Sequence, residues 1–368
     1  MRIDSILIRE VHMELRERFE ISSGAMHARR VILIEISGDG HTGWGECVAS
    51  ASPGYSYETT DTAWHVISDF LAPVVAGSEV EDARDLLEPV SWVRGHLMAK
   101  AGLEMAAWDL EARRRGQSLR DLVGGSAPTV PVGVSIGLQA TDEALHEKVR
   151  QHVSEGYRKI KIKIKPGRDV GMLSELRRSF PGTPFMADAN SAYTLEDADH
   201  LKQLDALDLM MVEQPLSYDD LRDHAELQRH LATPVCLDES IRSVADAQLA
   251  LELGSGRVIN IKPGRVGGLA SAKAIHDLCI AHDIPVWCGG MLETGIGRAH
   301  NLALASLPGF SIPGDISASR RYWERDIVTP EFDIEDGFMA VPDGVGIGVE
   351  PDLELINTLT ARTGSFEA

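Results

Sequence analysis

The sequence predicts an α/β protein built on a TIM-type barrel, with mixed α and β structure before and after it. Three observations lead there. Residues 126–324 alternate short apolar strands with helical stretches, the pattern of parallel strands joined by crossover helices. Eight strand candidates fall within roughly 190 residues, which makes a slightly trimmed barrel. An ionisable residue also recurs at the end of successive strands, at the interval of one strand-helix unit.

Residues 1–125 read as a separate mixed region. "SILIREVHMEL" and "RRVILIEISGDGHTGWGEC" are strand text, and Gly38 to Gly40 carries a Gly-Asp-Gly hairpin signal. Between them "FEISSGAMHA", with Met26 in it, is rich in Gly and Ser and predicts a mobile loop. From about Thr59 to Arg115 the apolar spacing is helical, ending in a basic turn and Gly116.

The barrel strands are then "VPVGVSI", "KIKIKI", "PFMADAN", "LMMVEQP", "PVCLDES", "VINIKPG", "PVWCGGM" and "FSIPGDI", the last the weakest. Residues 325–368 return to turn-rich, strand-like text that packs more naturally on the first region than on the barrel.

The second barrel strand poses a problem of cost. In "YRKIKIKIKP", Lys159, Lys161, Lys163 and Lys165 alternate with isoleucines, so four ammonium groups should share one face. The charges on the next four strands make such a face tolerable. Lys163, Asp188, Glu213, Asp238 and Lys262 are separated by 25, 25, 25 and 24 positions. Each therefore sits at the same height on a different strand, at the strand ends that converge on a barrel's active-site mouth.

Asp188, Glu213 and Asp238 form a hard oxygen set suited to Mg²⁺, with Mn²⁺ or another divalent cation as a substitute. Asn190 and Glu239 stand where they could brace those ligands. Lys163 and Lys262 flank the metal on opposite sides, in place for acid/base work. Lys161 and Lys163 share an inward face, so each is expected to depress the other's proton affinity. Ser135 ends the first barrel strand, where it meets either substrate or its neighbours. Arg265 lies three residues past Lys262, either at the surface or behind that lysine; the residues alone leave both open.

Taken singly, each of these features has a plain structural reading. Alternating lysines occur on exposed edge strands, and "DANSAYT" or "DES" could be helix caps. Five consecutive hits at one-unit spacing, cations flanking anions, are what carry the chemistry. "GIGRAH" and "GVGIG" lack the full dinucleotide fingerprint and read as turn glycines.

Composition narrows the partners. The 36 basic and 56 acidic residues leave a formal charge of −20, which disfavours nucleic acid and anionic membrane. The first residues carry charges throughout and no apolar segment reaches membrane-spanning length. The four cysteines form no CxxC pair and the histidines no HExxH, as expected of a cytoplasmic protein without a histidine-built zinc site.

Together "GWGEC", "KIKIKPG", "DANSAYT", "EQPL", "CLDES", "NIKPGRVGG", "WCGGMLETGIGRA" and "PGDISAS" resemble the enolase superfamily in its muconate lactonizing enzyme subgroup. Within it the chain is most similar to the N-succinylamino acid racemase and o-succinylbenzoate synthase family, over essentially its whole length. The resemblance implies a (β/α)7β barrel under an α+β capping domain made of residues 1–125 and the tail 325–368. It implies that the "FEISSGAMHA" loop closes over the mouth, that Lys163 and Lys262 are the acid/base pair, and that Asp188, Glu213 and Asp238 hold the metal. Ser135, Lys161, Asn190, Glu239, Arg265, Met291, Asp315 and Met26 are expected to contact substrate or support these groups.

The implied chemistry is proton abstraction next to a substrate carboxylate through a metal-stabilised enediolate. Return of a proton by the opposite lysine gives racemisation, whereas loss of a β-hydroxyl gives dehydration to 2-succinylbenzoate. Arg265 tilts the resemblance toward racemisation. Asp315-Ile316-Ser317 lacks the second Asp of dipeptide epimerases, so a free substrate amine is not the recognised feature. A small carboxylate is the expected partner, and the family's habit implies a homo-oligomer. Rival readings are a Schiff-base aldolase using Lys163 and a non-catalytic binding protein.

Overall fold

The computed structural model describes residues 1–21 and 24–368. Strands β1 (Ser5–Ile21), β2 (Gly24–Gly38) and β3 (His41–Cys47) form an antiparallel sheet. Strand β11 (Thr360–Glu367), at the far end of the chain, completes it by pairing with β1. Asp39 and Gly40 both take positive φ in the β2–β3 turn, which suits the twist of a tight hairpin. Helix α1 (Thr60–Val66) and the long α2 (Leu97–Arg115) cover the sheet; Gly116 ends α2 in the left-handed region. An added Cβ at Gly45 would lie 2.2 Å from the carbonyl of Gly102, so β3 meets α2 at a distance that only glycine permits.

The expected loop at 19–28 is strand on both sides, with Phe19 opposite Met26 and Ile21 opposite Gly24. Cross-strand hydrogen bonding outweighs the turn-like composition there. Ser22 and Ser23 of that stretch lie outside the described residues.

The barrel strands are β4 (Val134–Ile136), β5 (Ile160–Lys163), β6 (Phe185–Asp188), β7 (Val212–Glu213), β8 (Val235–Leu237), β9 (Val258–Ile261) and β10 (Val286–Cys288). They form one parallel sheet in chain order. The segment expected as an eighth strand, Phe310–Ile316, is irregular and bridges the two edges. Asp315 N–H donates to the Cys288 carbonyl, and the Gly314 carbonyl accepts from Gly133 N–H. Crossover helices include α3 (Asp142–Ser154), α4 (Val170–Ser179), α5 (Arg222–His230), α6 (Val244–Leu253), α7 (Leu269–Ala281) and α8 (Gly295–Ala305).

Alternation along the strands decides what faces inward. Ile160, Ile162 and Ile164 join the main core, while Met186, Met211, Cys236, Val258 and Trp287 form a separate apolar floor inside the barrel. Lys159, Lys161 and Lys163 are all buried, on the inward set of positions. Lys165 does not join them. It lies past the strand end in a turn bridged to Arg168 and is partly exposed.

Candidate active site

Equal sequence spacing does not mean equal register. Lys163 pairs with Asp188 and Asp188 with Glu213, but Glu213 pairs with Cys236, two residues before Asp238. Cys236 in turn pairs with Val258, so Lys262 stands two residues beyond the level of Asp238. Tilted strands in an eight-stranded barrel step by about one residue per strand. Two steps of two across four strand pairs match that average, so the five residues stay at one height around the mouth.

The turns after these strands are strained. Asn190, Ser191, Gln214 and Leu292 all hold positive φ without being glycine. Gly289 makes room for Lys262, since a Cβ there would lie 2.7 Å from Lys262 Cε.

The ionic contacts run around the ring. Lys163 Nζ donates to Asp188 Oδ2 and to Asn190 Oδ1, both at 2.6 Å. Lys161 Nζ lies 3.0 Å from Glu213, 3.2 Å from Asp188 and 2.7 Å from Asp315. Lys262 Nζ donates to Asp238 Oδ2 at 2.8 Å and to the Tyr55 hydroxyl at 3.0 Å. Arg265, expected either at the surface or behind Lys262, is buried and bonds the other oxygen of Asp238.

These contacts overturn one expectation. Burial alone would lower Lys161, but Asp315, Glu213 and Asp188 outweigh it and raise its proton affinity well above the ordinary value. Its lysine neighbours do not depress it, because three carboxylates are closer. Lys262 is likewise raised: burial opposes, and Asp238 and the Tyr55 oxygen prevail.

Among the described residues no three Asp, Glu, His or Cys side chains converge closely enough to hold a metal ion. The ring carboxylates turn instead toward lysine and arginine. Their chemistry nonetheless fits a hard divalent cation. Asp188, Glu213 and Asp238 are fully buried oxygen donors on neighbouring strands. Burial and the nearby charges of Asp188 and Asp238 push Glu213 up to about 7. Burial, Asp238 and Asp188 push Glu239 to about 8, and its Oε2 is buried without a hydrogen-bond partner. Burial is the larger cause of both shifts. Against the same burial, Lys163 holds Asp188, and Lys262 with Arg265 holds Asp238, below the usual carboxylate range. A cation bound at these oxygens would offset the burial.

Above the ring lies a cleft holding about 900 Å³ of empty space, counted out to the solvent. Lys161, Lys163, Asn190, Lys262, Met291 and Asp315 line its barrel side, as does Ser135. Ser135 sits in the middle of β4 rather than at its end, with its hydroxyl buried and unpartnered. Met26 and Phe19, from the β1–β2 hairpin, line the opposite side. Glu239 borders an adjoining cavity with Asn190 and Tyr55. Asp188, Glu213, Asp238 and Arg265 lie beneath the cleft wall rather than in it.

Sequence reasoning missed Tyr55 and Arg29. Tyr55 sits in "SASPGYSY", a turn-rich stretch with no periodicity to mark an inward position, yet its hydroxyl donates to Asp238 at 3.1 Å. Arg29 is buried on β2 and holds the same loop through Ser50 Oγ and the Val48 carbonyl.

Two family descriptions match the chain: the mandelate racemase / muconate lactonizing enzyme N-terminal domain over residues 3–124, and the enolase C-terminal domain-like family over residues 144–355. An o-succinylbenzoate synthase of Geobacillus stearothermophilus is 51% identical over 361 residues, covering 98% of this chain and 96% of that protein. An N-succinylamino acid racemase of Thermus thermophilus is 47% identical, covering 98% of each chain. The crystal structure of an enolase superfamily member from Listeria innocua superposes with a TM-score of 0.96 at 43% identity, over 99% of both chains. The barrel and the sheet that caps it thus have counterparts over nearly the whole chain, and this chain is an enzyme of the enolase superfamily, belonging to its mandelate racemase / muconate lactonizing enzyme family.

Proposed function

We propose that the site moves a proton at the carbon next to a substrate carboxylate, and that its reaction is racemisation of N-succinylamino acids. The observation that carries this reading is the pair Lys163 and Lys262, which end β5 and follow β9 on opposite sides of one cleft. One lysine takes the α-proton and the other delivers a proton to the opposite face, so the carbon inverts with no net change in protons. Lys161, held cationic by its carboxylate neighbours, offers fixed positive charge to the substrate carboxylate.

Asp188, Glu213 and Asp238 would hold Mg²⁺ or another divalent cation, which supplies Lewis-acid stabilisation of charge on the carboxylate. The proposed cation and Lys161 together offer positive charge on the barrel side of the cleft, which suits a substrate bearing two carboxylates, as an N-succinylamino acid does. Met26 and Phe19 give its side chain an apolar wall.

A second reading is o-succinylbenzoate synthase, favoured by the 51% identity to a relative of that name. There a lysine removes the α-proton and returns it to the departing β-hydroxyl, releasing water. Both reactions use one site.

Proton NMR in D₂O with Mg²⁺ and N-succinyl-L-phenylalanine tests the choice. Loss of the α-proton signal with appearance of the D-isomer is the expected result. Dehydration of the cyclohexadiene acid without such exchange would reassign the enzyme to the synthase. Lys262→Ala should reduce racemisation by about 10²–10⁴-fold while leaving the circular dichroism spectrum unchanged.

A further inference from the structure

Lys159 has no part in the chemistry above, yet the barrel is built around it. Its side chain is fully buried, with Nζ 3.4 Å from the centroid of the Trp287 ring and 3.1 Å from Asp315 Oδ1. Gly133 leaves the necessary room, for a Cβ there would lie 2.8 Å from Lys159 Cε. Trp287 belongs to the apolar floor with Met186, Met211, Cys236 and Val258, and the charges of Lys161 and Glu213 also act on Lys159. An ion pair in such a place is often no more stabilising than a well-packed hydrophobic side chain, so stability alone gives little reason for a lysine.

What the lysine does hold is Asp315. That residue stands on the irregular segment that closes the barrel, where its backbone N–H bonds Cys288 but no strand fixes its side chain. One carboxylate oxygen faces Lys159 and the other lies 2.7 Å from Lys161. Lys161 then reaches up to Glu213 and Asp188 and lines the substrate cleft. Asp315 is thus shared between a lysine below and a lysine at the site.

We propose that Lys159 is a positioning residue: by holding one oxygen of Asp315 from beneath, it sets the height of Lys161 at the substrate carboxylate. Without Lys159 the whole charge of Asp315 falls on Lys161 and draws its ammonium down, away from the cleft. Lys159 itself never meets substrate. The inference rests on the proton-transfer reading above for its effect on rate, though not for the geometry.

The test compares Lys159→Met and Lys159→Arg with the parent enzyme. In Lys159→Met, kcat for α-proton exchange should fall by roughly tenfold to a hundredfold, the scale of a small misplacement. KM should change less than about threefold. Tm should fall in Lys159→Met, because removing one partner of the buried pair leaves the Asp315 charge less compensated, so the kinetics are read well below the melting range. Lys159→Arg should recover most of kcat, since it keeps a cation beside Asp315. A kcat within about twofold of the parent in Lys159→Met overturns the proposal, as does a loss of kcat with no recovery by Arg, which would make Lys159 structural only. The crystal structure of Lys159→Met gives a reading that needs no substrate. Asp315 and Lys161 should move together, and an unchanged Lys161–Asp315–Glu213 arrangement refutes the idea. If the parent enzyme exchanges no α-proton, the functional reading fails, and the crystallographic outcome still decides the role of Lys159.

Discussion

At the scale of the residue, the site is a competition for carboxylate oxygens. Asp238 meets Lys262, Arg265 and the Tyr55 hydroxyl at once. Tyr55 therefore ties the loop after β3 to Lys262 across Asp238. Losing a single hydrogen bond to a charged group costs about 1.5–3 kcal/mol. Tyr55→Phe should accordingly lower kcat/KM by about tenfold or more with little effect on folding. Steady-state kinetics on the purified variant decide it, and an unaltered kcat/KM would leave Tyr55 as a wall residue. Arg265 belongs to the same competition, since it takes charge from Asp238 that Lys262 would otherwise hold alone.

At the scale of the element, the C-terminal strand is fastened by charge as well as by backbone pairing. Glu10 on β1 is almost fully buried and receives hydrogen bonds from Arg30 on β2 and Arg362 on β11. Burial by itself would raise its pKa, but Arg30, His12 and Arg362 hold it at about 2, below the ordinary 4.5. Because the folded pKa is the lower one, this stabilisation is complete above about pH 4.5 and is lost as the pH falls through about 2. Glu10→Gln should destabilise the protein at pH 7 by about 2 kcal/mol, less than the full shift implies because Arg30 and Arg362 are partly in water. The difference from the parent should shrink as the pH is taken down toward 2. Urea unfolding at pH 7 and pH 3 measures both, and a pH-independent difference would mean that packing, not charge, holds β11.

At the scale of the whole molecule, the buried ring sets how the fold responds to metal. The cation proposed at Asp188, Glu213 and Asp238 would offset the burial, and the nearby Asp188 and Asp238 charges, that raise Glu213. At a hundredfold excess of Mg²⁺ over Kd the linkage is worth about 2.7 kcal/mol, a rise of a few degrees in Tm for a chain this long. Differential scanning calorimetry with Mg²⁺ and with chelator should show that rise, and Asp238→Asn should abolish it. Identical melting curves for the parent enzyme under both conditions would remove the three carboxylates as ligands.

Much of this molecule could be read in advance because its signals are local and repeat. Alternation of period two placed Lys161 and Lys163 inward and their isoleucines outward, and spacing by one strand-helix unit picked out the five ring residues from Lys163 to Lys262. Pattern alone could not supply the register, the partners or the sense of the electrostatics. The ring stays level only because the tilted strands slip by two residues at β8 and again at β9. Lys161 gains rather than loses proton affinity because Asp315, 154 positions away in the chain, comes within 2.7 Å of it. Tyr55 reaches the site from a segment with no inward period, and Arg29 from a strand of the capping sheet whose alternation says nothing of the barrel beneath it. Sequence determined which residues face the barrel interior, since that follows from each strand's own geometry. Only the tertiary structure decided which charges meet there, because Coulombic pairing depends on distances that barrel closure and the docked sheet create.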